Sequence, residues 1–259
     1  MIPYYGGKTW LKKHIKSITE NVVDVNGFID VFVGGGSITD SLVDVYEHGI
    51  INDIDINLIN LYETIKNSSS EFIEFTKMHK NELGLDEIKK FKYQVGQLDE
   101  FNQVERAFKY YVMARTSYSG KTYACPTNWK LDKFKKMNVE QDIVKIKSTL
   151  DKVDILNKNY SELNFSNTLC YCDPPYCVVY EPYYGLHGKN HKNFNHDEFH
   201  EWICNISKNN KVIISYDNSE SIKNLYCDWN ITEVNKKTTH INKGENISSS
   251  IKELIITNF

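Results

Sequence analysis

The stretch LCYCDPPYCVVY, residues 169–180, places a carboxylate, two prolines and an aromatic ring directly after a short apolar run. The apolar run predicts a buried strand. Proline lacks the N–H that a strand ladder needs and forces the preceding residue into extended geometry. The strand must therefore end in a stiff loop at Asp173-Pro174-Pro175-Tyr176. In open α/β sheets, ligands bind at this carboxyl end of the strands.

Short apolar segments alternate with helical segments on both sides of this stretch, which predicts a mostly parallel sheet with helices on both faces. The predicted strands are 28–32, 49–51, 153–156, 168–172, 211–216, 229–236 and 252–259. The last two carry alternating apolar residues, and we expect them to form an antiparallel pair.

The middle of the chain breaks this alternation. Residues 67–144 predict an inserted, mainly helical subdomain, which separates two parts of one sheet domain, 1–66 and 145–259. Within the insert, SGKTYACPTNWK (119–130) contains a glycine and a proline, and it predicts an exposed hairpin or loop.

Length and composition fit a soluble globular protein, since 41% of the 259 residues are hydrophobic and 25% are charged. No apolar run approaches the ~18 residues of a membrane helix. The start, MIPYYGGKTW, has neither the basic leader nor the apolar core of a secretory signal. We therefore expect a cytoplasmic protein. The six cysteines are scattered without a CxxC pair, which favours reduced thiols and no metal site.

The charge is distributed unevenly. Residues 101–160 contain twelve Lys and Arg and six acids, a local net charge of +6 in a chain of net charge −3. Such a basic middle is typical of a surface that faces a polyanion such as nucleic acid. A lysine-rich solvated surface would give the same count, so charge alone leaves both interpretations open.

Three further features lie where ligand-binding loops are expected. VGGGS (33–37) follows the first strand, and its glycines let the backbone approach a ligand, although ordinary tight turns use such triplets too. Asp53 follows the second strand, where an acid can accept hydrogen bonds from ribose hydroxyls. Capping of the next helix, by Asp53 or Asp55, is the alternative. YYGGK (4–8) predicts either a loop over an anionic group or a solvated terminus.

Five features follow one another along the chain: YYGGK, DVFVGGGS, INDID, a long insert and CDPPY. In this order they resemble the motifs of S-adenosylmethionine-dependent amino-methyltransferases. The position of the insert resembles the alpha group, to which the Dam-type DNA N6-adenine methyltransferases belong. The resemblance covers almost the whole chain and is weakest in the insert. It implies a Rossmann-like methyltransferase sheet with an inserted DNA-recognition subdomain. It also implies S-adenosylmethionine as methyl donor, no metal, and double-stranded DNA as substrate.

Residue roles follow from the resemblance position by position. The cofactor-binding residues that it implies are Tyr4, Lys8, Phe32, Gly34, Gly36, Asp53, Asn159, Tyr160 and Asp173. Tyr4 stands where tryptophan is common in the family, and Asn159 stands where many relatives have an acid. The implied catalytic residues are Asp173, Pro174 and Tyr176, and the implied DNA-binding residues are Arg115, Ser117, Tyr118, Lys121, Asn128 and Lys130.

The chemistry of an amino group explains the DPPY sequence. The exocyclic nitrogen of adenine is a poor nucleophile because its lone pair is delocalised into the ring. The Asp173 carboxylate and the Pro174 carbonyl can accept its two hydrogens and offset the positive charge that develops as the methyl group arrives. Tyr176 offers a ring on which the base can stack. Because the amine is inaccessible inside a duplex, the base must be flipped out.

Several substrates share this chemistry. We expect N6 of adenine in duplex DNA, with GATC as the recognition sequence that the resemblance suggests, and a restriction endonuclease as companion if the protein serves a restriction-modification system. N4 of cytosine, adenine in RNA, a protein glutamine amide, and a DNA-binding accessory subunit without activity are the alternatives. The polar stretch from residue 181 is expected to close over the base with Tyr183 or Tyr184.

Overall fold

The computed structural model describes residues 1–95, 101–176, 194–242 and 245–259. In these ranges a seven-stranded sheet has the strand order β3-β2-β1-β4-β5-β7-β6. The strands are β1 Phe28–Asp30, β2 Gly49–Asn52, β3 Val153–Leu156, β4 Leu169–Cys172, β5 Lys211–Asp217, β6 Asn230–Asn242 and β7 Glu245–Thr257. Strands β1 to β5 run parallel, whereas β7 pairs antiparallel with both β5 and β6. The predicted parallel sheet and its antiparallel pair are confirmed.

Helices cover both faces of this sheet. In the described ranges the α-helices are α1 Lys12–Thr19, α2 Thr39–Leu42, α3 Ile56–Asn67, α4 Ser69–His79, α5 Leu85–Gln94, α6 Gln103–Thr116, α7 Asn128–Lys136, α8 Val139–Leu150, α9 His196–Ile206 and α10 Glu220–Leu225. Side chains of a strand alternate between faces. Leu169 and Tyr171 of β4 pack with α3, α6 and α8, while Cys170 and Cys172 pack with α9 and α10. The predicted α/β fold is confirmed.

The described residues between 67 and 144 are mainly helical, as predicted, and they pack against the sheet through α6. Tyr110 and Tyr111 of α6 and Phe134 of α7 lie in the same buried apolar cluster as Phe28 of β1 and Leu58 of α3. The helices of this segment therefore share one core with the face of the sheet on which they pack. None of the helices in the described ranges is long and apolar enough to cross a membrane.

The prediction of an exposed hairpin or loop at 119–130 agrees with the structure only in part. A single antiparallel bridge between Ser117 and Pro126 closes a loop that begins with a short 3₁₀ turn. Asn128 and its neighbours belong to helix α7 instead of the loop. The loop is also partly buried, because Gly120, at φ +74°, packs so closely on the backbone of Tyr4 that a Cβ would lie 2.8 Å from its carbonyl carbon. The insert and the N-terminal loop are thereby held together.

Asp55 joins the sheet domain to the insert. Its carboxylate accepts a hydrogen bond from the backbone N–H of Asn57 at 3.0 Å, which caps helix α3. The second oxygen accepts the hydroxyl of Tyr110, on α6, at 3.1 Å. The cap of α3 is therefore Asp55 and not Asp53.

Replacing Asp55 by alanine should lower the free energy of unfolding by about 2–4 kcal/mol, because the substitution removes a helix cap and leaves the buried Tyr110 hydroxyl without an acceptor. Asp55→Asn keeps an acceptor of the same shape and should cost clearly less. Urea unfolding followed by circular dichroism measures both variants. Equal losses for alanine and asparagine would contradict the capping role.

Candidate active site

The carboxyl ends of four neighbouring strands, β3, β2, β1 and β4, surround one cleft. Its volume is about 290 Å³, and residues that follow each of these strands line it. The strand order reverses between β1 and β4, which is the point where open α/β sheets form a crevice for ligands. The lining includes Tyr4, Phe32, Asp53, Asn159, Tyr160 and Asp173 from the predicted cofactor-binding residues. A smaller adjoining hollow is lined by Lys8, Gly34 and Asp173.

The glycine turn after β1 is held in place from two sides. Gly34 has φ +46°, and a Cβ on it would lie 2.9 Å from the ring of Tyr4, so only glycine fits between the turn and the N-terminal loop. The carbonyl of Gly34 accepts the Tyr62 hydroxyl at 2.6 Å, and its N–H donates to Asp53 at 3.0 Å. Gly36 also has a positive φ, +68°. The turn is a fixed element of the cleft wall.

Asp53 is buried and is hydrogen-bonded to backbone donors through both oxygens. Oδ2 accepts from Gly34 and Oδ1 accepts from the N–H of Asp55 at 2.9 Å. Each oxygen has a second lone pair, so hydroxyl donors of a ligand can still be accepted. Burial is the largest cause that raises the pKa of Asp53 to about 7, and the nearby Asp55 carboxylate adds to it.

Asn52 rigidifies the loops around Asp53, a role that the sequence analysis missed. Its amide donates to the carbonyls of Val31 and Lys158, each at 3.0 Å, and its oxygen accepts from the N–H of Lys158 at 2.9 Å. One buried side chain thereby ties together the segments that follow β1, β2 and β3. An asparagine that ends a predicted strand is the signal that could have pointed to it.

Asp30, at the end of β1, is a second missed residue. Its Oδ2 accepts the Thr39 hydroxyl at 2.5 Å, whereas Oδ1 is buried without a hydrogen-bond partner among the described residues. Burial raises its pKa to about 7, with smaller contributions from Asp173 and Asp53. An acid inside the apolar run FIDVF was the available signal, since a buried carboxylate requires a partner.

Aromatic rings form one side of the cleft. The ring of Phe32 lies 5.9 Å from those of Tyr160 and Phe194, measured between centroids. Asn159, in contrast, is exposed, and its side chain accepts the N–H of Ser161 and so caps a short 3₁₀ turn. Asn159 therefore lines the cleft, but its side-chain oxygen is hydrogen-bonded to the N–H of Ser161.

The DPPY loop meets the N-terminal loop through an ion pair. Lys8 is only 5% exposed, and its Nζ lies 2.9 Å from Oδ1 of Asp173 and 4.7 Å from the centre of the Tyr176 ring. Pro174 is buried beyond the end of β4. Burial raises the pKa of Asp173, and the Lys8 ammonium acts in the opposite direction. Two of the three predicted catalytic residues, Asp173 and Tyr176, thus lie beside Lys8, and Tyr183 and Tyr184 lie outside the described residues.

The cleft has the donor and acceptor chemistry that S-adenosylmethionine requires. The Asp30 oxygen without a partner can accept the ammonium of a methionine group, and the spare lone pairs of Asp53 can accept ribose hydroxyls. The backbone of Gly34 and Gly35 lines the adjoining hollow, and the aromatic wall suits a purine. The residues present therefore fit this cofactor. The described residues contain no cluster of three or more His, Cys, Asp or Glu placed to hold a metal ion.

A second, basic cleft of about 700 Å³ lies where helix α7 faces the N-terminus. Arg115, Lys130, Lys133 and Lys136 line it together with a single acid, Asp132. Burial lowers the pKa of Lys130, and the positive charges of Lys133 and Arg115 lower it further. Trp129 stands beside them with 59% of its surface exposed.

The predicted DNA-binding residues are distributed over different environments around this cleft. Tyr118 and Asn128 are exposed, and Lys130 is half-buried at the cleft. Lys121 lies with its Nζ 4.6 Å from the Tyr5 ring centre.

Two of the predicted DNA-binding residues are less accessible. Arg115 forms an ion pair with Asp142 inside the protein. Ser117 is buried, so DNA could reach its side chain only if the loop opened.

Comparisons with known proteins agree with this geometry. Residues 4–240 match the family of D12 class N6 adenine-specific DNA methyltransferases. The chain is 26% identical over 250 residues to the type II methyltransferase M.CviBI of Paramecium bursaria Chlorella virus NC1A, covering 92% of this chain and 90% of that protein. It is 25% identical over 277 residues to type II methyltransferase M1.LlaDCHI of Lactococcus lactis subsp. cremoris, with coverage of 98% and 93%.

A third relative is the type II methyltransferase M.MjaIII of Methanocaldococcus jannaschii, 26% identical over 293 residues and covering 100% of this chain and 98% of that protein. The family match spans nearly the whole chain and includes the glycine turn, the insert and the DPPY loop. The family implies S-adenosylmethionine as methyl donor and DNA as substrate. This chain belongs to the D12 class of N6 adenine-specific DNA methyltransferases and is an adenine-specific DNA methyltransferase.

Proposed function

We propose that the protein methylates N6 of an adenine that has been flipped out of duplex DNA, and that the acceptor of the amine is the pair formed by the Asp173 carboxylate and the Pro174 carbonyl. The observation that carries this proposal is the position of Asp173, which lines both the larger cleft and the glycine-lined hollow. An amine bound there would lie beside the cofactor cleft. S-adenosylmethionine supplies an electrophilic methyl group on a sulfonium centre.

The residues of this chain then have separate tasks. Asp173 and Pro174 would accept hydrogen bonds from the two amine hydrogens and offset the charge that develops on nitrogen as the N–CH3 bond forms and the S–CH3 bond breaks. The sulfonium would leave as a neutral thioether, and the methylated nitrogen would release one proton. Tyr176 supplies a stacking ring. Asp53 holds ribose hydroxyls, and Asp30 holds the cationic end of the cofactor. The aromatic wall at Phe32 excludes water from the side of the cleft.

The basic cleft at α7 is proposed to grip the phosphates of the duplex. Its lysines lie beside an exposed tryptophan, a combination suited to a polyanion that also carries aromatic bases. Tyr118, 64% exposed at the start of the loop after α6, is the candidate to fill the gap left by the flipped base. GATC is the first recognition sequence to test, and a restriction endonuclease is the proposed companion, since three relatives are named type II methyltransferases.

Incubation with tritiated S-adenosylmethionine and duplex oligonucleotides should place label in N6-methyladenine. Asp173→Ala should reduce transfer by about 10²–10³-fold or more, because one of the two fixed acceptors is lost. Asp154→Ala changes an exposed aspartate of β3 and serves as the matched control with unchanged transfer. Label found only in cytosine, RNA or protein, or normal transfer by the Asp173 variant, would contradict the proposal.

Cofactor affinity should depend on pH near neutrality. Asp53 and Asp30 have pKa values of about 7, and only their charged forms are full acceptors. The affinity for S-adenosylmethionine should therefore fall as the pH falls below about 7. The decrease should reach up to about tenfold per pH unit for each group. Asp53→Asn should weaken binding at pH 8 and leave only the pH dependence that Asp30 contributes. Isothermal titration calorimetry with S-adenosylmethionine measures this, and an unchanged pH profile in the variant would refute the role of Asp53.

DNA affinity should depend on Lys130 through charge. Lys130→Ala should weaken binding to all duplex sequences alike and reduce the slope of log affinity against log salt by about 1. Lys208→Ala, an exposed lysine at the amino end of β5, is the matched control that should leave both quantities unchanged. Fluorescence anisotropy at several salt concentrations measures the slope. Identical slopes for the two variants would show that the α7 cleft does not contact phosphate.

A further inference from the structure

The Lys8 ammonium is shared by two carboxylates in the interior of the active site. Its Nζ lies 2.9 Å from Oδ1 of Asp173 and 3.4 Å from Oε1 of Glu253, and it donates to the carbonyl of Gly6 at 2.8 Å. The side chains of Lys8 and Glu253 are only 6% and 4% exposed. One ammonium is therefore the counter-ion of two acids, one that follows β4 and one that lies within β7.

Lys8 occupies the contacts that the proposed function assigns to the target base. Its ammonium binds the carboxylate of Asp173, which must accept the amine, and it lies over the ring of Tyr176, on which the base must stack. An amino group that enters the site therefore competes with the ammonium for the same carboxylate. The ammonium cannot simply lose its counter-ion, because an unpaired buried charge is strongly unfavourable.

Glu253 offers the ammonium a second counter-ion close by. Glu253 lies on β7, paired with Asp217 of β5 and Val234 of β6, and it is buried. Because burial of a carboxylate is unfavourable unless the carboxylate is paired, apolar packing does not explain an acid at this position. Its carboxylate also accepts the hydroxyl of Tyr176. Burial raises the pKa of Glu253 to about 7, Lys8 acts against this shift, and the charge of Asp173 adds to it.

The main chain of Lys8 need not move for such an exchange. Its N–H donates to Ser37 at 3.1 Å, which anchors the N-terminal loop on the glycine turn. Only the end of the side chain has to shift from one carboxylate to the other. Three N–H donors on the ammonium allow it to keep the Gly6 carbonyl while its ionic partner changes.

We propose that Glu253 is a positioning residue that receives the Lys8 ammonium when the target amino group takes its place on Asp173, and that it holds the Tyr176 ring for the same base. This inference rests on the proposed function, since it requires an amine that binds Asp173. Glu253 does not touch the reacting atoms, and its effect is exerted through Lys8 and Tyr176.

The first test compares two substitutions at position 253. E253Q keeps the size of the side chain and an acceptor for Tyr176 but loses the charge, whereas E253D keeps the charge and is shorter. Single-turnover methyl transfer at saturating DNA and cofactor should fall by about tenfold to a hundredfold in E253Q, as expected when a reacting group is misplaced. E253D should be clearly faster than E253Q. The dissociation constants for DNA and S-adenosylmethionine should not change in either variant.

A purely structural role predicts the reverse order, because glutamine fills the space of glutamate better than aspartate does. E253Q at the wild-type rate, or E253D equal to or slower than E253Q, would overturn the inference. E233Q is the matched control, since Glu233 lies on β6 in an exposed ion pair with Lys223, and this variant should transfer methyl groups at the wild-type rate. Thermal unfolding verifies that each variant is folded.

A second comparison uses Lys8→Met alone and combined with E253Q, and it does not depend on the stability of E253Q by itself. Replacing both members of a buried pair by neutral side chains is often tolerated. Without the ammonium, Glu253 has no cation to receive. The combined variant should therefore transfer methyl groups at the same rate as the Lys8→Met variant. A further loss on adding E253Q would overturn the inference.

Wild-type protein that does not label adenine in DNA would refute the proposed function itself, whereas an active wild type with the wrong order of variants would refute only the inference.

Discussion

The buried ion pair between Lys8 and Asp173 joins parts of the chain that are far apart in sequence. Lys8 belongs to the N-terminal loop, which rests on the glycine turn through Ser37, and Asp173 ends β4. The strand β7 reaches the same point through Glu253. Because a charge in the interior must be paired, none of these segments can be displaced without cost to the others. The ion pair therefore adds a long-range constraint to the local stiffness that the two prolines give the DPPY loop.

Two clefts of opposite charge follow from the same arrangement. The cleft at the carboxyl ends of β1 to β4 and the hollow beside it are lined by four acids, Asp30, Asp53, Asp173 and Glu198, and by two lysines, Lys8 and Lys158. The charges of Asp173 and Asp53 help to raise the pKa of Asp30 to about 7. Such a site suits a cationic cofactor. The cleft at α7 has four basic residues and one acid, and it suits a polyanion. The close packing of Gly120 on Tyr4 connects the two, since it holds the loop after α6 against the N-terminal loop, which borders the larger cleft.

The predicted sheet was correct because apolar periodicity and proline breaks act locally. Each strand predicted from an apolar run is present, and the antiparallel end of the sheet is confirmed, although β6 and β7 extend further than predicted. The predictions were poorer in the loop after α6. Asn128 begins a helix there, and Tyr123 is 3% exposed because it packs on Tyr110, 6.2 Å away between ring centroids. A glycine and a proline indicate a loop, but they do not indicate what the loop packs against.

The sequence by itself determined the parallel sheet, the family, and which loop follows which strand. These properties depend on residue types at fixed spacings along the chain. Only the tertiary structure decided which charges meet. Asp30 and Glu253 are isolated acids in apolar strands, and their partners come from segments 9 and 245 residues away. Burial and pairing are properties of the folded chain, and for that reason the shared ammonium of Lys8 and the raised pKa values around it could be seen only in three dimensions.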